Sequence, residues 1–248
     1  MARRDYEQTP PARKGRFGVV KGLPASSPDR VIAAPAPAPN KLGQSLGAKG
    51  ARTRRRIMDA TAELIAERSF ADVRITDIAR AAEIAQPNFY TYFSGVEDVV
   101  RALAEDVSLE ALARRLEPDW SAPDGLTLAR QLVEDAFALW ATQRAVLALI
   151  WFLADKRQGD FPQLRIRQVR SLYKAFEAQI RRSQDAGRVS RALQPRLAGY
   201  ECVGLISSAA SKYSLLLDSG FSRAQLVETT ARMLHMIATG LSAPVEDR

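Results

Sequence analysis

Between Arg52 and Phe93 the apolar residues fall into three short helical periods. Ile57, Ala60, Leu64 and Ile65 recur at helical spacing, which places them on one face of a first helix. That helix opens on the basic run Arg52, Arg54, Arg55 and Arg56. Ser69-Phe70-Ala71-Asp72 breaks it. A brief second helix is predicted from Ile75 to about Ala82, with Ile75, Ile78, Ala79 and Ala82 on its buried side. Glu83-Ile84-Ala85 makes a turn, and a third helix begins near Gln86-Pro87 and ends at the aromatic cluster Phe89, Tyr90, Tyr92 and Phe93. Two short helices joined by a tight turn, behind a basic first helix, form the layout that lets the last helix enter a DNA major groove.

From Val96 onward the periodicity stays helical. One long segment is predicted from Val96 to Leu116, ended by Pro118, with Val99, Val100, Leu103 and Val107 inside. Two more run from Leu126 to Gln143 and from Ala145 to Lys156. Gly159-Asp160 interrupts the chain, and the next helix spans about Phe161 to Ala186, with Gly187 in the position of a terminating glycine. Pro195 opens a helix to about Leu217, and Ser222 caps a last one that reaches Thr239-Gly240. No strand-period segment of useful length intervenes, so the expected fold class is all-α.

The chain divides into an arm over 1–47, a helix-turn-helix unit over 48–95 and a helical body over 96–243. The arm is Pro/Ala-rich, as at Ala33-Ala34-Pro35-Ala36-Pro37-Ala38-Pro39, and is expected to be disordered. Its Arg13, Lys14, Arg16 and Lys21 suit sequence-independent phosphate attraction, or simply a solvated tail. The net charge of +8 is uneven: residues 1–48 carry eight Lys/Arg against three Asp/Glu, residues 49–95 eight against six, residues 96–248 twenty against nineteen. The basic excess thus lies where DNA would be met. No signal-peptide pattern follows Arg3 and Arg4, no apolar run approaches membrane length, and Cys202 is the one cysteine. These features point to the cytoplasm.

Ile78-Ala79, Ala82-Glu83-Ile84-Ala85, and Phe89-Tyr90-Thr91-Tyr92-Phe93 followed by Glu97 form an ordered set that resembles the DNA-binding domain of the TetR (tetracycline-repressor-like) family. The resemblance implies a ligand-responsive transcriptional regulator, most often a repressor on a palindromic operator. It also implies a homodimer built from the last two helices, here about 195–217 and 222–240. Five positions depart from the family pattern. Gly is usual where Glu83 stands, a small polar residue and Gly where Ala85 and Gln86 stand, Lys where Val96 stands, and Thr where Arg74 stands.

On the third helix the base-reading candidates are Gln86, Asn88 and Thr91, because Asn and Gln can bond adenine bidentately and Thr reaches polar edges or a thymine methyl. Pro87 pre-sets the helix start, and Tyr92 resembles the family's phosphate-contacting tyrosine; Tyr90 and Phe93 are expected in the core. Thr76, at the start of the second helix, and Arg52, Arg54 and Arg55 are candidates for phosphate.

In the body, Phe137, Trp140, Trp151, Phe152, Tyr173 and Phe176 are candidates to line a hydrophobic effector cavity; core packing is the plainer use of each. Arg167, Arg170 and Lys174 share a face that suits solvent or an acidic ligand. Residues 197–217 hold many small side chains, among them Gly199, Cys202, Gly204 and Ser207, which allow close helix approach within the chain or between copies. Catalysis finds no support: His235, expected at an interface or surface, is the one histidine, and neither a zinc ligand set, a nucleophile elbow nor a phosphate-binding loop is present. No cofactor is expected. The alternative function is a helical ligand-binding or DNA-packaging protein that binds DNA without reading sequence.

Overall fold

The computed structural model describes residues 47–241; the arm predicted over 1–47 lies outside the described residues apart from Gly47. The described residues form eleven α-helices, with no strand among them. Helix α1 (Ala48–Glu67) buries Ile57, Met58, Ala60, Thr61 and Ile65, so the predicted stripe faces inward and the arginines face out. A 3-10 turn over Phe70–Asp72 leads into α2 (Ile75–Ala81) and α3 (Gln86–Tyr92). Ile78, Phe89 and Ile57 are fully enclosed between these three helices. Phe89 packs on Phe93 at a ring separation of 6.0 Å, which seals the end of α3 against α1.

The predicted single helix over 96–116 is two. Helix α4 (Val96–Asp106) ends where Val107 turns extended, and α5 (Glu110–Arg114) begins after Ser108, whose hydroxyl accepts from the Glu110 amide at 3.3 Å. A serine that offers its own oxygen to the backbone competes with helix continuation. Conversely, the two helices predicted around residue 144 form one long kinked helix, α6 (Gly125–Asp155), with Gln143 at φ −117° and ψ 15°. The segment predicted as one helix over 161–186 breaks at Val169 into α7 (Phe161–Gln168) and α8 (Arg170–Asp185). The segment over 195–217 breaks at Lys212 into α9 (Pro195–Ser211) and α10 (Tyr213–Asp218). Helix α11 (Arg223–Thr239) starts on a full capping box, Ser222 with Gln225, and ends on Gly240 at φ 71°.

Three of these discontinuities have a common cause. Two hydrophobic cores share the chain. One joins α1–α4 to the second half of α6 (Val146, Leu149, Ile150, Leu153) and to α7 (Phe161, Leu164). The other joins the first half of α6 (Leu132, Val133, Phe137, Trp140) to α5, α8, α9 and α11. Each helix that serves both cores must be re-aimed between them, and the kink at Gln143 and the breaks at Val107 and Val169 do this. The helix-turn-helix core therefore draws on residues far beyond 95.

Helix α6 corrects a second expectation. At 31 residues it is long and apolar enough to cross a membrane by length and composition, although no such run stood out in the sequence. Its buried apolar residues are divided between the two cores that it connects, while Phe152 stays exposed.

Candidate nucleic-acid interface

The α2–α3 turn is a Schellman closure. The Ile84 amide donates to the Ala79 carbonyl at 2.9 Å and the Glu83 amide to the Arg80 carbonyl at 3.1 Å. This closure places Glu83 in the left-handed region, at φ 50°. Glycine is the residue that adopts this geometry without steric cost. Here a glutamate holds it, and its carboxylate pairs with Arg56 at 3.0 Å.

Helix α3 then starts without a side-chain cap, with Pro87 in its first turn. Gln86, Pro87, Asn88 and Thr91 are exposed along one surface, and Tyr92 is half-buried. Phe89 and Phe93 hold the opposite side in the core. Tyr90 corrects an expectation: it is 45% exposed and sits edge-on to Phe89, with ring centroids 5.7 Å apart. Helical phase explains this, since Phe89 and Phe93 are four apart and claim the buried face, which turns Tyr90 outward. Tyr90 thereby joins Gln86, Asn88 and Thr91 on the accessible surface, a position the aromatic clustering in the sequence concealed.

The basic residues of α1 do not act as one group. Arg54 lies over the Phe93 ring at 5.0 Å and ties α1 to the end of α3. Arg55 pairs with Asp59 at 2.8 Å and with Asp106, at the far end of α4, at 2.7 Å. It is thus engaged on the α4 side, and Arg56 pairs with Glu83 of the turn. Arg52 is exposed, with its Nε donating to the Ala48 carbonyl at 3.3 Å. Thr76 is exposed in the first turn of α2.

Helix α4 carries this unit to the rest of the chain. The Ser94 amide donates to Asp98 at 2.9 Å and fixes its start. Arg101 pairs with Asp160, at the start of α7, at 2.7 Å, and this contact holds the Asp160 carboxyl below the usual carboxylate range. The Gln168 amide donates to the Ala104 carbonyl at 3.2 Å. Arg101 and Ala104 thus tie the C-terminal half of α4 to α7 and its start.

The aromatic residues of the body separate into groups. Trp140 and Trp151, T-stacked at 5.4 Å, line a small cavity together with Leu109, Leu147 and Val169. Phe137, Tyr173 and Phe176 are buried in the core beside it. Phe152 is 55% exposed and faces outward beside Lys156, so it does not belong to the cavity wall. Its place on the helix, one residue after Trp151, points it away from the junction.

His235 also corrects an expectation. It is buried, stacked on Trp120, with Nε2 2.9 Å from the Trp120 carbonyl oxygen. The Trp120 carbonyl gives the buried polar ring a hydrogen-bond partner in the interior. Burial pushes the Cys202 thiol up to about 12, so it stays protonated and inert near neutral pH.

The small residues of α9 are divided between two uses. A side chain on Gly199 would stand 2.6 Å from the Tyr173 carbonyl oxygen, so this glycine sets the close approach of α8 and α9 within the chain. Gly204 has open space around it. Leu197 and Glu201 are exposed at helical spacing from it on α9, and Met233 and Met236 are exposed on α11.

Comparison with known proteins agrees with this geometry. Residues 57–103 match the family model described as bacterial regulatory proteins, tetR family. Residues 111–244 match the model of the tetracyclin repressor-like C-terminal domain. The HTH-type transcriptional regulator YvdT of Bacillus subtilis is 28% identical over 99 residues, 39% of this chain and 50% of that protein. The chain thus spans about half the length of this curated relative. Among solved structures, the fatty acid degradation regulator FadR of Bacillus halodurans is similar in fold, with TM-score 0.52, 21% identity, and coverage of 74% of this chain and 94% of that one. FadR of Bacillus subtilis, solved with stearoyl-CoA, gives TM-score 0.56 at 19% identity, covering 75% and 98%.

Proposed function

The chain belongs to the tetR family of bacterial regulatory proteins, and from that premise we propose that it is a cytoplasmic repressor, acting as a homodimer on a palindromic operator and released by a largely hydrophobic small molecule. The observation that carries the reading is the surface of α3. Gln86, Asn88, Tyr90 and Thr91 are presented outward while Phe89 and Phe93 anchor the helix from behind. Asn88 and Gln86 read base edges; Tyr90, Tyr92, Thr76 and the α1 arginines contact phosphates. Arg52 and Arg54 keep this role from the α1 side, with Arg55 and Arg56 reaching phosphate only on leaving their carboxylates.

A single helix-turn-helix reads one half-site. The exposed faces of α9 and α11, with Leu197 61% and Met236 51% exposed, supply the surface for a second copy. In the dimer the two α3 helices must lie about 34–36 Å apart to enter successive major grooves. The effector acts by preferring a conformation with another spacing, and operator affinity falls by the ratio of its two affinities.

The test is selection of genomic fragments by the purified protein at about 150 mM salt, where unspecific attachment is suppressed. The expected result is a shared palindromic site. Fragments with no common motif would reject sequence reading in favour of a DNA-packaging or purely ligand-binding role. The occupation of Arg55 by Asp59 and Asp106 is the feature that favours that second reading.

A further inference from the structure

Residues 49–95 carry eight Lys/Arg, and most of these side chains are already engaged. Arg54 lies over Phe93, Arg55 holds Asp59 and Asp106, and Arg56 holds Glu83. Arg52 donates to the Ala48 carbonyl. Arg68 and Arg80 both hold Asp77, at 3.3 and 3.8 Å. Arg74 is exposed, and among the described residues its side chain makes no hydrogen bond, ion pair or ring contact. Lys49, in the first turn of α1, is the other such cation of the unit.

The backbone at Arg74 is nonetheless fixed. It is the N-cap of α2, at φ −112° and ψ 151°, and its carbonyl accepts from the Asp77 and Ile78 amides at 3.0 and 3.1 Å. Ser, Thr, Asp or Asn at this position would also accept from a helix amide through the side chain. Arginine has no acceptor, and α2 has no side-chain cap. A cation at a helix N-terminus also meets the positive end of the helix dipole. The acid of the first turn, Asp77, is taken by Arg68 and Arg80. Arg74 thus opposes local helix formation on two counts, and no contact among the described residues offsets them. Positions that break local rules in this way are where function is expected.

We propose that Arg74 is a phosphate contact of the DNA complex, held open in the free protein at the expense of a cap on α2. The inference rests on the regulator reading above and adds a residue to its DNA surface. In a helix-turn-helix pair the first helix crosses the DNA backbone while the second enters the groove. The start of α2 therefore meets phosphate, and Thr76 is exposed in the same turn. A guanidinium matches phosphate geometry. That of Arg74 needs to leave no carboxylate first, unlike those of Arg55 and Arg56. The contact reads no base, so it raises affinity for every duplex alike.

The experiment measures binding of the full-length protein to its selected site and to a random-sequence duplex, from about 0.1 to about 1 M salt, beside thermal unfolding. One phosphate contact contributes a slope of about −0.9 in log K against log salt, which is about eightfold between those limits. Arg74→Ser should therefore weaken both duplexes equally, by about eightfold at the low-salt end and hardly at all at the high end. It should also raise the melting temperature by about 2–4 °C, because serine caps α2. Arg74→Lys should keep the slope. Arg114→Ala removes an exposed arginine of α5 that has no ion pair among the described residues, and should leave the slope unchanged. An unchanged slope in Arg74→Ser would overturn the assignment, and so would a melting temperature that does not rise. An equal loss of slope in Arg114→Ala would also overturn it, since any surface charge would then serve. The random duplex decides Arg74 whether or not a site is selected. Absence of a selected site sinks the regulator reading alone, and no binding to either duplex by the unaltered protein sinks both.

Discussion

Arg56 and Glu83 face each other across the helix-turn-helix unit, Nη2 3.0 Å from Oε2, while the Glu83 backbone sits at φ 50°. The turn thus combines a left-handed non-glycine residue with an ion pair in which the Glu83 side chain is 84% exposed. A left-handed L-residue costs about 1–2 kcal/mol. An exposed pair returns a few tenths to about 1 kcal/mol.

Backbone strain should therefore outweigh the pair. Glu83→Gly is expected to be more stable than Glu83→Ala by about 1 kcal/mol, because alanine loses the pair and keeps the strain. Urea denaturation of the two variants checks this. A glycine variant no more stable than the alanine one would show that the turn relaxes in solution. Removal of the carboxylate also frees Arg56 beside α3, so Glu83→Gly should bind DNA more tightly at low salt.

Asn88 and Arg52 should fail in different ways. Asn88→Ala is expected to cost about 1–3 kcal/mol on the preferred site and to relax discrimination at one base position. Arg52→Ala should weaken binding to all sequences and lower the salt slope by about 1. Both residues are exposed, so neither change should move the melting temperature. Salt-dependent binding to matched and single-mismatch duplexes separates the two outcomes.

Acid should loosen the α6–α11 contact. Arg130 donates from Nε and Nη2 to Glu228 at 2.6 and 3.0 Å. Those bonds, with Arg232 adding, hold the Glu228 carboxyl at about 2 against an ordinary 4.5. Folding therefore favours the charged form. Its contribution is complete above about pH 5 and disappears as the pH falls toward 2. Both side chains are 36% exposed, so screening limits it to about 1 kcal/mol. The stability gap between the protein and Glu228→Gln should close on acidification. A gap that is constant with pH would show that the pair does not hold in solution.

Two glycines of one helix should respond oppositely. Gly199→Ala pushes a methyl to 2.6 Å from the Tyr173 carbonyl and should destabilise the chain by about 1–3 kcal/mol. Gly204→Arg adds a side chain to open space and should leave the protomer folded. If α9 and α11 meet a second copy, that arginine should convert dimer to monomer and abolish operator binding. Sedimentation at several concentrations reads the effect; an unchanged dimer would place the interface elsewhere.

The periodicity of the chain was sufficient for the all-α class, for the three helices of the DNA-binding unit, and for the termini marked by Gly187, Ser222 and Gly240. These are local matters: a 3.6-residue apolar period, a hydroxyl at an N-cap, a glycine at a left-handed position. The resemblance carried by residues 78–97 was likewise legible, since those residues are contiguous. The helix breaks at Val107, Val169 and Lys212 were not, because each sits in an unbroken apolar period with no proline or glycine to mark it. The first two follow from the need to serve two cores at once, and that need exists only after the chain has folded. The same holds for Tyr90 facing out, His235 facing in, and Arg55 pairing with Asp106 fifty-one residues away. Which side of a helix faces a core, and which partner a charge meets, depend on segments distant in sequence. The local pattern decided what each element is, and tertiary packing decided where its residues point.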